Sequence, residues 1–449
     1  MTENYDAFIV GTGASGTTFA YKLQAAGMKV AIADCRKYGG TCSLRGCIPK
    51  KVLTGAASIV DAHNRMLGKG TGNKKNVIDW PQLIDFKRTF TEPHPDKHEN
   101  NFKDAGIDTY HGIVRFENES TLVVNDQRIE AKYIIITTGS KPRKLNIPGE
   151  EYLVTSEEFM EMKELPKRII FAGGGYISFE FAHIAARGGA EVTILQRGDS
   201  VLKQFDPDLV DMLVKASGDA GIRVVMGRSV KEIEKMQDGF EVTTCCRENE
   251  KDEIFSADMV VHGLGRVPAL EELQLEKGNV ALDKGNILLN EYLQSISNPR
   301  VYAAGDCIKP GPQLTPAVSL QADVAASNII EGNSYTVDYS VIPSTVFTFP
   351  PLASVGITQD SSSAMHKVLF YDMSQWYSAK RINFRYAASK VIIDERTDMI
   401  LGAHILGPEA EEVINLFAVA MNYGVTATQL RSTVYSYPSI SYDLNYILK

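Results

Sequence analysis

"YDAFIVGTGASG", residues 5–16, decides the fold. A short apolar run ends in glycines at Gly11, Gly13 and Gly16, the pattern G-x-G-x-x-G, with Ser15 inside the same turn. A helix-like stretch follows as far as Gly27, and a second apolar strand, "KVAIAD", closes on Asp34. Strand, glycine turn, helix, strand is the order of a dinucleotide-binding unit. Gly11 permits the tight turn, Gly13 lets a pyrophosphate approach the backbone, and Gly16 lets helix and strand pack closely. The helix N-terminus turns its partial positive charge toward the phosphates. Asp34 stands where an acid takes ribose hydroxyls.

One such turn is weak evidence, but the chain holds two. "RIIFA", residues 168–172, runs into Gly173, Gly174, Gly175, Tyr176, Ile177 and Ser178, then a helix-like stretch and "EVTILQR". Gly16 to Asp34 and Ser178 to Gln196 both span 18 positions. Ser178 fills the third slot, where a small side chain is tolerated. The second unit ends on Gln196, with Arg197 and Lys203 close by, where the first has its acid. Cations bind a ribose 2′-phosphate that an acid repels. The second site, with Gly173, Gly175, Tyr176, Ile177, Arg197 and Lys203 in it, is therefore expected to prefer NADPH to NADH.

Between the two units lies "GGTCSLRGCIPKK", residues 39–51, with Cys42 and Cys47 four residues apart. At this point the pair reads as a redox couple, as two buried thiols, or as half a zinc site. Composition narrows the setting. The 449 residues allow about three domains, and 44% hydrophobic with 23% charged residues is ordinary for a globular protein. The formal net charge of -8 argues against nucleic acid and anionic membranes as partners. No apolar run approaches the ~20 residues of a membrane span. No signal peptide precedes the first strand, and six scattered cysteines do not form a secreted disulfide framework. These features predict a cytoplasmic protein.

With both nucleotide units and the cysteine pair in view, the chain resembles the class I pyridine nucleotide-disulfide oxidoreductases, which include glutathione reductase, dihydrolipoamide dehydrogenase and mercuric reductase. "GGTCSLRGCIPKK" is similar to their redox-active disulfide motif, with Thr41 inside it. "IIITTGSKP", holding Thr138 and Gly139, resembles the second segment of their FAD fold. "HGLGRVP", with Gly265, resembles the strand closing the NAD(P)H domain. "VYAAGDC", with Gly305 and Asp306, resembles the segment whose acid meets the flavin ribityl chain. "LTPAV", starting at Leu314 and Thr315, resembles the helix start beside the isoalloxazine, and "ILGAHILGPEAEEVIN" the interface-domain motif.

The resemblance implies an α/β protein with two Rossmann-like dinucleotide-binding domains, one for FAD and one for NADPH, and an α+β dimerisation domain built on an antiparallel sheet. The FAD domain would comprise residues 1–148 and 272–335, the NADPH domain 149–271 and the interface domain 336–449. In the last, "STVFTFPPLASVGIT" and "KVIIDERTDMILGAHIL" alternate like antiparallel strands. "LGKGTGNKKN", residues 67–76, reads as a loop. The resemblance also assigns roles. Electrons pass from NADPH through FAD to a Cys42–Cys47 disulfide and on to a small-molecule disulfide or other thiol-reactive acceptor. Cys47 faces the flavin as a thiolate and Cys42 faces the acceptor. Lys51 pairs with Glu180 beside the flavin, and Tyr176 gates the nicotinamide pocket. The active site is shared across a homodimer.

The C-terminus departs from the pattern. Most members supply a His-Pro pair from the partner subunit, with an acid five residues on. In "STVYSYPSISYDL", residues 432–444, Tyr437 precedes Pro438 and Tyr442 takes the place of the acid. No histidine follows His404. An ordinary tyrosine has a pKa of ~10 against ~6.5 for histidine, so it is a poor proton acceptor at neutral pH, and acid-base help is worth ~10²–10⁴-fold. Weak turnover of glutathione disulfide or lipoamide is expected. Mercuric reductases also carry a tyrosine here, but add a terminal cysteine pair that "NYILK" lacks. The alternatives are a mercuric-type metal-ion reductase, a carboxylating, carbon–sulfur-cleaving oxidoreductase like the coenzyme M enzyme, and a low-turnover flavoprotein redox sensor. No metal site is expected. Cys245 and Cys246 would point to opposite faces of a strand, His94 and His98 would lie on a solvated polar face, and Cys35 and Cys307 would be packed.

Overall fold

The computed structural model describes residues 2–246, 251–361 and 365–449. They form two compact units. One comprises residues 1–51, 85–143 and 266–339, the other residues 52–84, 144–265 and 340–449.

In the first unit, β1 (Glu3–Val10), α1 (Ala14–Ala25) and β2 (Val30–Asp34) follow the predicted order. Residues Ala7–Val10 are all buried and pair in parallel with β2 on one side and β6 on the other, the pattern of a central parallel strand covered on both faces. Next come α2 (Gly40–Arg45) and α3 (Cys47–Arg65), broken apart at Gly46, and then α4 (Trp80–Thr91) and α5 (His94–Asp104). The strands β3 (Asp108–His111), β4 (Val114–Phe116), β5 (Thr121–Val124), β6 (Gln127–Ile136) and β7 (Ser140–Pro142) end this stretch.

The second unit takes in residues 52–84, and with them most of α3 and the start of α4; it continues with β8 (Leu153–Val154) and α6 (Ser156–Phe159), then repeats the nucleotide fold in β9 (Arg168–Ala172), α7 (Tyr176–Arg187) and β10 (Glu191–Leu195). Asp206 caps α8 (Pro207–Asp219), its carboxylate accepting from the N–H groups of Asp208 and Leu209. β11 (Ile222–Val225) completes a parallel sheet in the order β11-β10-β9, and β12 (Arg228–Met236), β13 (Gly239–Cys246) and β14 (Asp252–Ala257) form an antiparallel sheet of their own. β15 (Met259–His262) returns to pair with β9 and β8 in parallel.

The chain then re-enters the first unit. β16 (Arg266–Pro268) pairs with β7, β17 (Leu282–Asp283) with β18 (Asn286–Ile287), and β19 (Val301–Ala303) with β6. The completed sheet has seven strands, β3-β2-β1-β6-β5-β4 with β19 beside β6, and α9 (Thr315–Glu331) belongs to the same unit.

The C-terminal stretch of the second unit holds β20 (Ser344–Val346), β21 (Leu352–Gly356), β22 (His366–Asp372), α10 (Tyr377–Lys380), β23 (Ala388–Asp394) and β24 (Ile400–Leu406). They form an antiparallel sheet in the order β20-β21-β24-β23-β22; the two quoted segments are antiparallel strands as expected, but β21, β23 and β24 are buried at nearly every residue and not at alternate ones. α11 (Ala410–Asn422) buries Val413, Ile414 and Phe417 in the core that includes residues of β21, β23 and β24, and α12 (Ala427–Ser432) and α13 (Leu444–Ile447) follow. Residues 67–76 carry turns and loop, as expected. Among the described residues no helix is long and apolar enough to cross a membrane.

Candidate functional site

The glycine turns are the first parts of the site. Gly11 has φ +111°, and a Cβ there would lie 2.4 Å from Thr137 O, so only glycine fits. Gly13 is different: its Cβ would meet nothing nearer than Gly40 Cα at 3.9 Å. The turn is therefore tight where it supports the backbone and open where a ligand would approach. Ser15 donates to Val318 O at 3.1 Å, and Gly16 packs on Gly11 O. Asp34 is held in place by its neighbours. Its Oδ2 accepts from Thr12 N at 2.9 Å and Thr12 Oγ1 at 2.6 Å, and its Oδ1 accepts from Arg36 N at 2.9 Å.

The far wall of this unit comes from β7, β16 and the turn after β19. Arg266 Nε donates to Ser140 Oγ at 2.9 Å, and Ser140 Oγ donates to Asp306 Oδ2 at 3.2 Å. Burial pushes the Asp306 carboxyl above its ordinary pKa, against the pull of Ser140 and Arg266. Gly139 and Gly305 both adopt positive φ; a Cβ on Gly139 would meet open space. Thr138 joins β6 to this turn. Ser140 and Arg266 stand out in the sequence only as members of two separate motifs; their contact with each other depends on the β7–β16 pairing.

Cys42 lies in α2 beside exposed Thr41, and Cys47 is the first residue of α3. Both are thiols here, and Cys47 is the more exposed. The break at Gly46 brings the thiols within hydrogen-bond reach of each other. Thr315, the first residue of α9, donates its hydroxyl to Cys42 Sγ at 3.2 Å and lies 3.6 Å from Cys47 Sγ. The N-terminus of the 19-residue α3 favours negative charge at Cys47. The Cys42 thiol is pushed well above its ordinary pKa by the hydrogen bond with Cys47 and by burial, while Thr315 pulls it down. Leu314 caps α9 in an extended conformation, leaving Thr315 free to turn toward the sulfurs. Lys51 lies exposed on the first turn of α3.

The second nucleotide turn repeats the design. Gly173 has φ +105°, and a Cβ would lie 2.1 Å from Gly263 O, whereas Gly175 would meet nothing within 4 Å. Ser178 is buried, and a Cβ on Gly263 would lie 2.1 Å from its Oγ, so the third slot is filled to contact. Tyr176 opens α7 and is exposed, with Ile177 beside it. Gly265 has φ +99°. Gln196 braces the loop after β10, accepting from Gly174 N at 3.0 Å and donating to Ser200 O at 2.9 Å. Arg197 and Lys203 are exposed, and Lys203 Nζ would lie 3.7 Å from a Cβ on Gly198. The two cations thus flank one loop. Glu180 is 3% exposed, and its Oε1 accepts from Phe347 N at 3.0 Å.

Tyr437 is 73% exposed and packs edge-on against Tyr442 at 4.8 Å between centroids. Both line a cavity of 460 Å³ together with Tyr371, Trp376 and Tyr446. The sequence reading singled out the first two tyrosines but not this cluster.

Residues 5–322 match the family described as pyridine nucleotide-disulphide oxidoreductase, and residues 342–446 match its dimerisation domain. This chain belongs to that family. It is 31% identical over 448 residues to a mercuric reductase from Bacillus cereus, covering 98% of this chain and 70% of that protein. It is 30% identical over 458 residues to a glutathione reductase from Nostoc sp., covering 98% of each. Among solved structures, the HOCl-induced flavoprotein disulfide reductase RclA from Escherichia coli, as its Cu(II) complex, shares 28% identity at a TM-score of 0.88 over 100% of this chain and 99% of that one. The protein is accordingly an FAD-dependent oxidoreductase that uses a pyridine nucleotide.

The first unit fits FAD: a Cβ on Gly13 or on Gly139 would meet no atom nearer than 3.9 Å, and the carboxylates of Asp34 and Asp306 are each held by a hydrogen bond from a neighbouring hydroxyl. Bound FAD supplies two-electron transfer between the nucleotide and the thiol pair.

Several bland expectations need correction. His94 and His98 do not form a solvated face. Both are half-buried and stack at 5.2 Å, with His94 against Gly39 and His98 Nε2 3.1 Å from Thr17 Oγ1. Desolvation lowers both pKa values. The close approach of Gly39, which has no side chain, makes room for the ring, and no local pattern signals that. Cys307 is buried as expected, but Cys35 is exposed, because it stands just past the end of β2. Cys245 and Cys246 end β13, each half-buried.

Proposed function

We propose that this enzyme is an NADPH-preferring dithiol-disulfide oxidoreductase whose acceptor is neither glutathione disulfide nor lipoamide. The reading rests on one observation above the rest: the Thr315 hydroxyl placed against both sulfurs of the Cys42–Cys47 pair. With the two electrons that FAD held here would supply from NADPH, and two protons, the Cys42–Cys47 disulfide would become two thiols. The Cys42 thiolate attacks a disulfide sulfur of the acceptor. That S–S bond breaks, a mixed disulfide forms on Cys42, and the leaving thiolate takes a proton. Cys47 then attacks the Cys42 sulfur, releasing the second thiol and restoring the disulfide.

Around this couple, Gly11, Gly13, Ser15, Gly16, Asp34, Thr41, Thr138, Gly139, Gly305, Asp306, Leu314 and Thr315 hold FAD. Gly173, Gly175, Tyr176, Ile177 and Gly265 hold the nicotinamide nucleotide, with Arg197 and Lys203 on its 2′-phosphate. Buried Glu180 needs a cation, the role given to Lys51. The protein works in the cytoplasm as a homodimer through residues 342–446, each subunit presenting Tyr437 to its partner's thiols. Tyrosine cannot shuttle the leaving-group proton as histidine does. NADPH oxidation with glutathione disulfide should therefore be slow although flavin reduction is fast, and stopped-flow mixing separates the two halves. Brisk turnover of glutathione disulfide would defeat the argument.

A second reading, reduction of a thiol-seeking metal ion, is favoured by the name of the 31% identical relative and by the Cu(II) complex of RclA. Metal-dependent NADPH oxidation that no disulfide supports would select it.

A further inference from the structure

One helix, α9, touches three parts of the first unit's site. Thr315 at its start stands against the two sulfurs. The Val318 carbonyl, one turn on, accepts from Ser15 in the glycine turn. Gln321, a turn further, reaches the loop after β19. Gln321 is only 1% exposed. Its Oε1 accepts from Gly305 N at 2.8 Å, and its Nε2 donates to Pro310 O at 2.8 Å and to the Tyr339 hydroxyl at 3.1 Å. All of these residues belong to the first unit, so Gln321 is enclosed by a single chain and not by a subunit contact.

The partners demand an amide. A backbone N–H can only donate and a carbonyl can only accept, so Gly305 and Pro310 fix which way the Gln321 amide points. A carboxylate could not donate to Pro310 O, and an ammonium could not accept from Gly305 N. Glycines make the room. Gly305 has φ +90°, and a Cβ there would lie 2.7 Å from Ser15 Oγ. Gly311 has φ +84°, and its Cβ would lie 2.3 Å from Tyr339 Cε1 and 2.9 Å from Gln321 Nε2. The loop is thus tied to one side chain at Gly305 and again at Pro310. Asp306 sits inside it, directly after Gly305. Ser140 holds the Asp306 carboxylate at 3.2 Å, whereas Gln321 holds the backbone that carries it. A buried N–H that loses its acceptor costs its full desolvation. Removing the Gln321 amide therefore loosens the loop at its buried end.

We propose that Gln321 is a positioning residue for the flavin, setting the Gly305–Asp306 turn on which FAD is held, a role that rests on the proposed placing of FAD at those two residues. Release of FAD from the holoenzyme, well below its unfolding temperature, is the measurement. Gln321→Leu should release FAD about tenfold faster or more, the value of an unmet buried hydrogen bond, with an unchanged far-UV circular dichroism spectrum. Its flavin midpoint potential should also move toward that of free FAD, which loss of packing alone would not bring about. Gln321→Glu keeps an acceptor for Gly305 N but sets a carboxylate oxygen against Pro310 O. It should release FAD faster too, and carries the test if Gln321→Leu does not fold. Tyr339→Phe removes only the outer partner and should stay within about threefold of wild type. Asp306→Ala separates this role from the placing of FAD, since it should speed release wherever Gln321 acts. Faster release from Asp306→Ala beside wild-type release and potential in the Gln321 variants would overturn the proposal and leave the placing of FAD intact. A Tyr339→Phe effect as large as that of Gln321→Leu would overturn it as well. Unchanged release from Asp306→Ala would overturn both.

Discussion

The hydroxyl of Thr315 donates to the sulfur of Cys42 across 3.2 Å, from a helix that starts 273 residues further along the chain. That hydroxyl favours the Cys42 thiolate, against the hydrogen bond with Cys47 and burial, which both raise the thiol's pKa. A hydrogen bond to a charged group is worth ~1.5–3 kcal/mol, so Thr315→Val should slow alkylation of reduced Cys42 at neutral pH by roughly 10- to 150-fold. The iodoacetamide rate of the dithiothreitol-reduced enzyme measures this, and an unchanged rate would leave Thr315 with a packing role only.

Arg197 and Lys203 flank the loop after β10, where Gln196 stands in place of an acid. Arg197→Glu should lower kcat/KM for NADPH by about tenfold or more, the loss of one charged hydrogen bond, and change that for NADH much less. A wild type that favours NADH would refute the reading of this loop.

Much of the fold was legible because its signals are local. Strands such as Ala7–Val10 and Arg168–Ala172 and the turns at Gly11 and Gly173 each follow from neighbouring residues. What escaped was built across long separations. Asp61 on α3 accepts from Arg187 on α7 at 2.7 Å, and Lys390 on β23 pairs with buried Asp206 at 2.8 Å. Neither buried pair has a sequence signature, since either cation could as well have faced water. The aromatic cavity is the same case: Tyr437 and Tyr442 stood out beside Pro438, but Tyr371 and Trp376 reach them only through the β22–α10 turn.

Stability should fall on mild acidification, and His183 is a main cause. It is fully buried, its Nδ1 accepts from Phe349 N at 3.1 Å, and its Nε2–H is left to donate to Ser217 Oγ at 2.9 Å. Burial, with Arg187 beside it, holds its pKa well below 6.5. Below pH ~6.5 the unfolded chain binds a proton that the folded one refuses. Stability is therefore full above ~6.5 and lost as pH falls toward the folded pKa, by up to about 1.4 kcal/mol per pH unit from this residue. His183→Gln should flatten the fall of the unfolding free energy between pH 6.5 and 5. An unaltered slope would show that the imidazole does titrate in the fold.

Tyr437→Phe tests the exposed hydroxyl at the position where the resemblance places an acid-base histidine. If the hydroxyl steadies the Cys42 thiolate or the acceptor, turnover with the true acceptor should drop ~10- to 150-fold, the value of one hydrogen bond to a charged group. Flavin reduction by NADPH should be unchanged. Turnover within twofold of wild type would assign Tyr437 to the cavity wall alone.

The central claim is that electrons reach the acceptor through Cys47 and then Cys42, and anaerobic reduction by one equivalent of NADPH tests it most directly. The wild type should develop a long-wavelength thiolate-to-flavin absorbance band. Cys47→Ser should abolish the band, while Cys42→Ser should retain it or show it without any reductant. A band that survives Cys47→Ser, or that depends on Cys42 instead, would contradict the account.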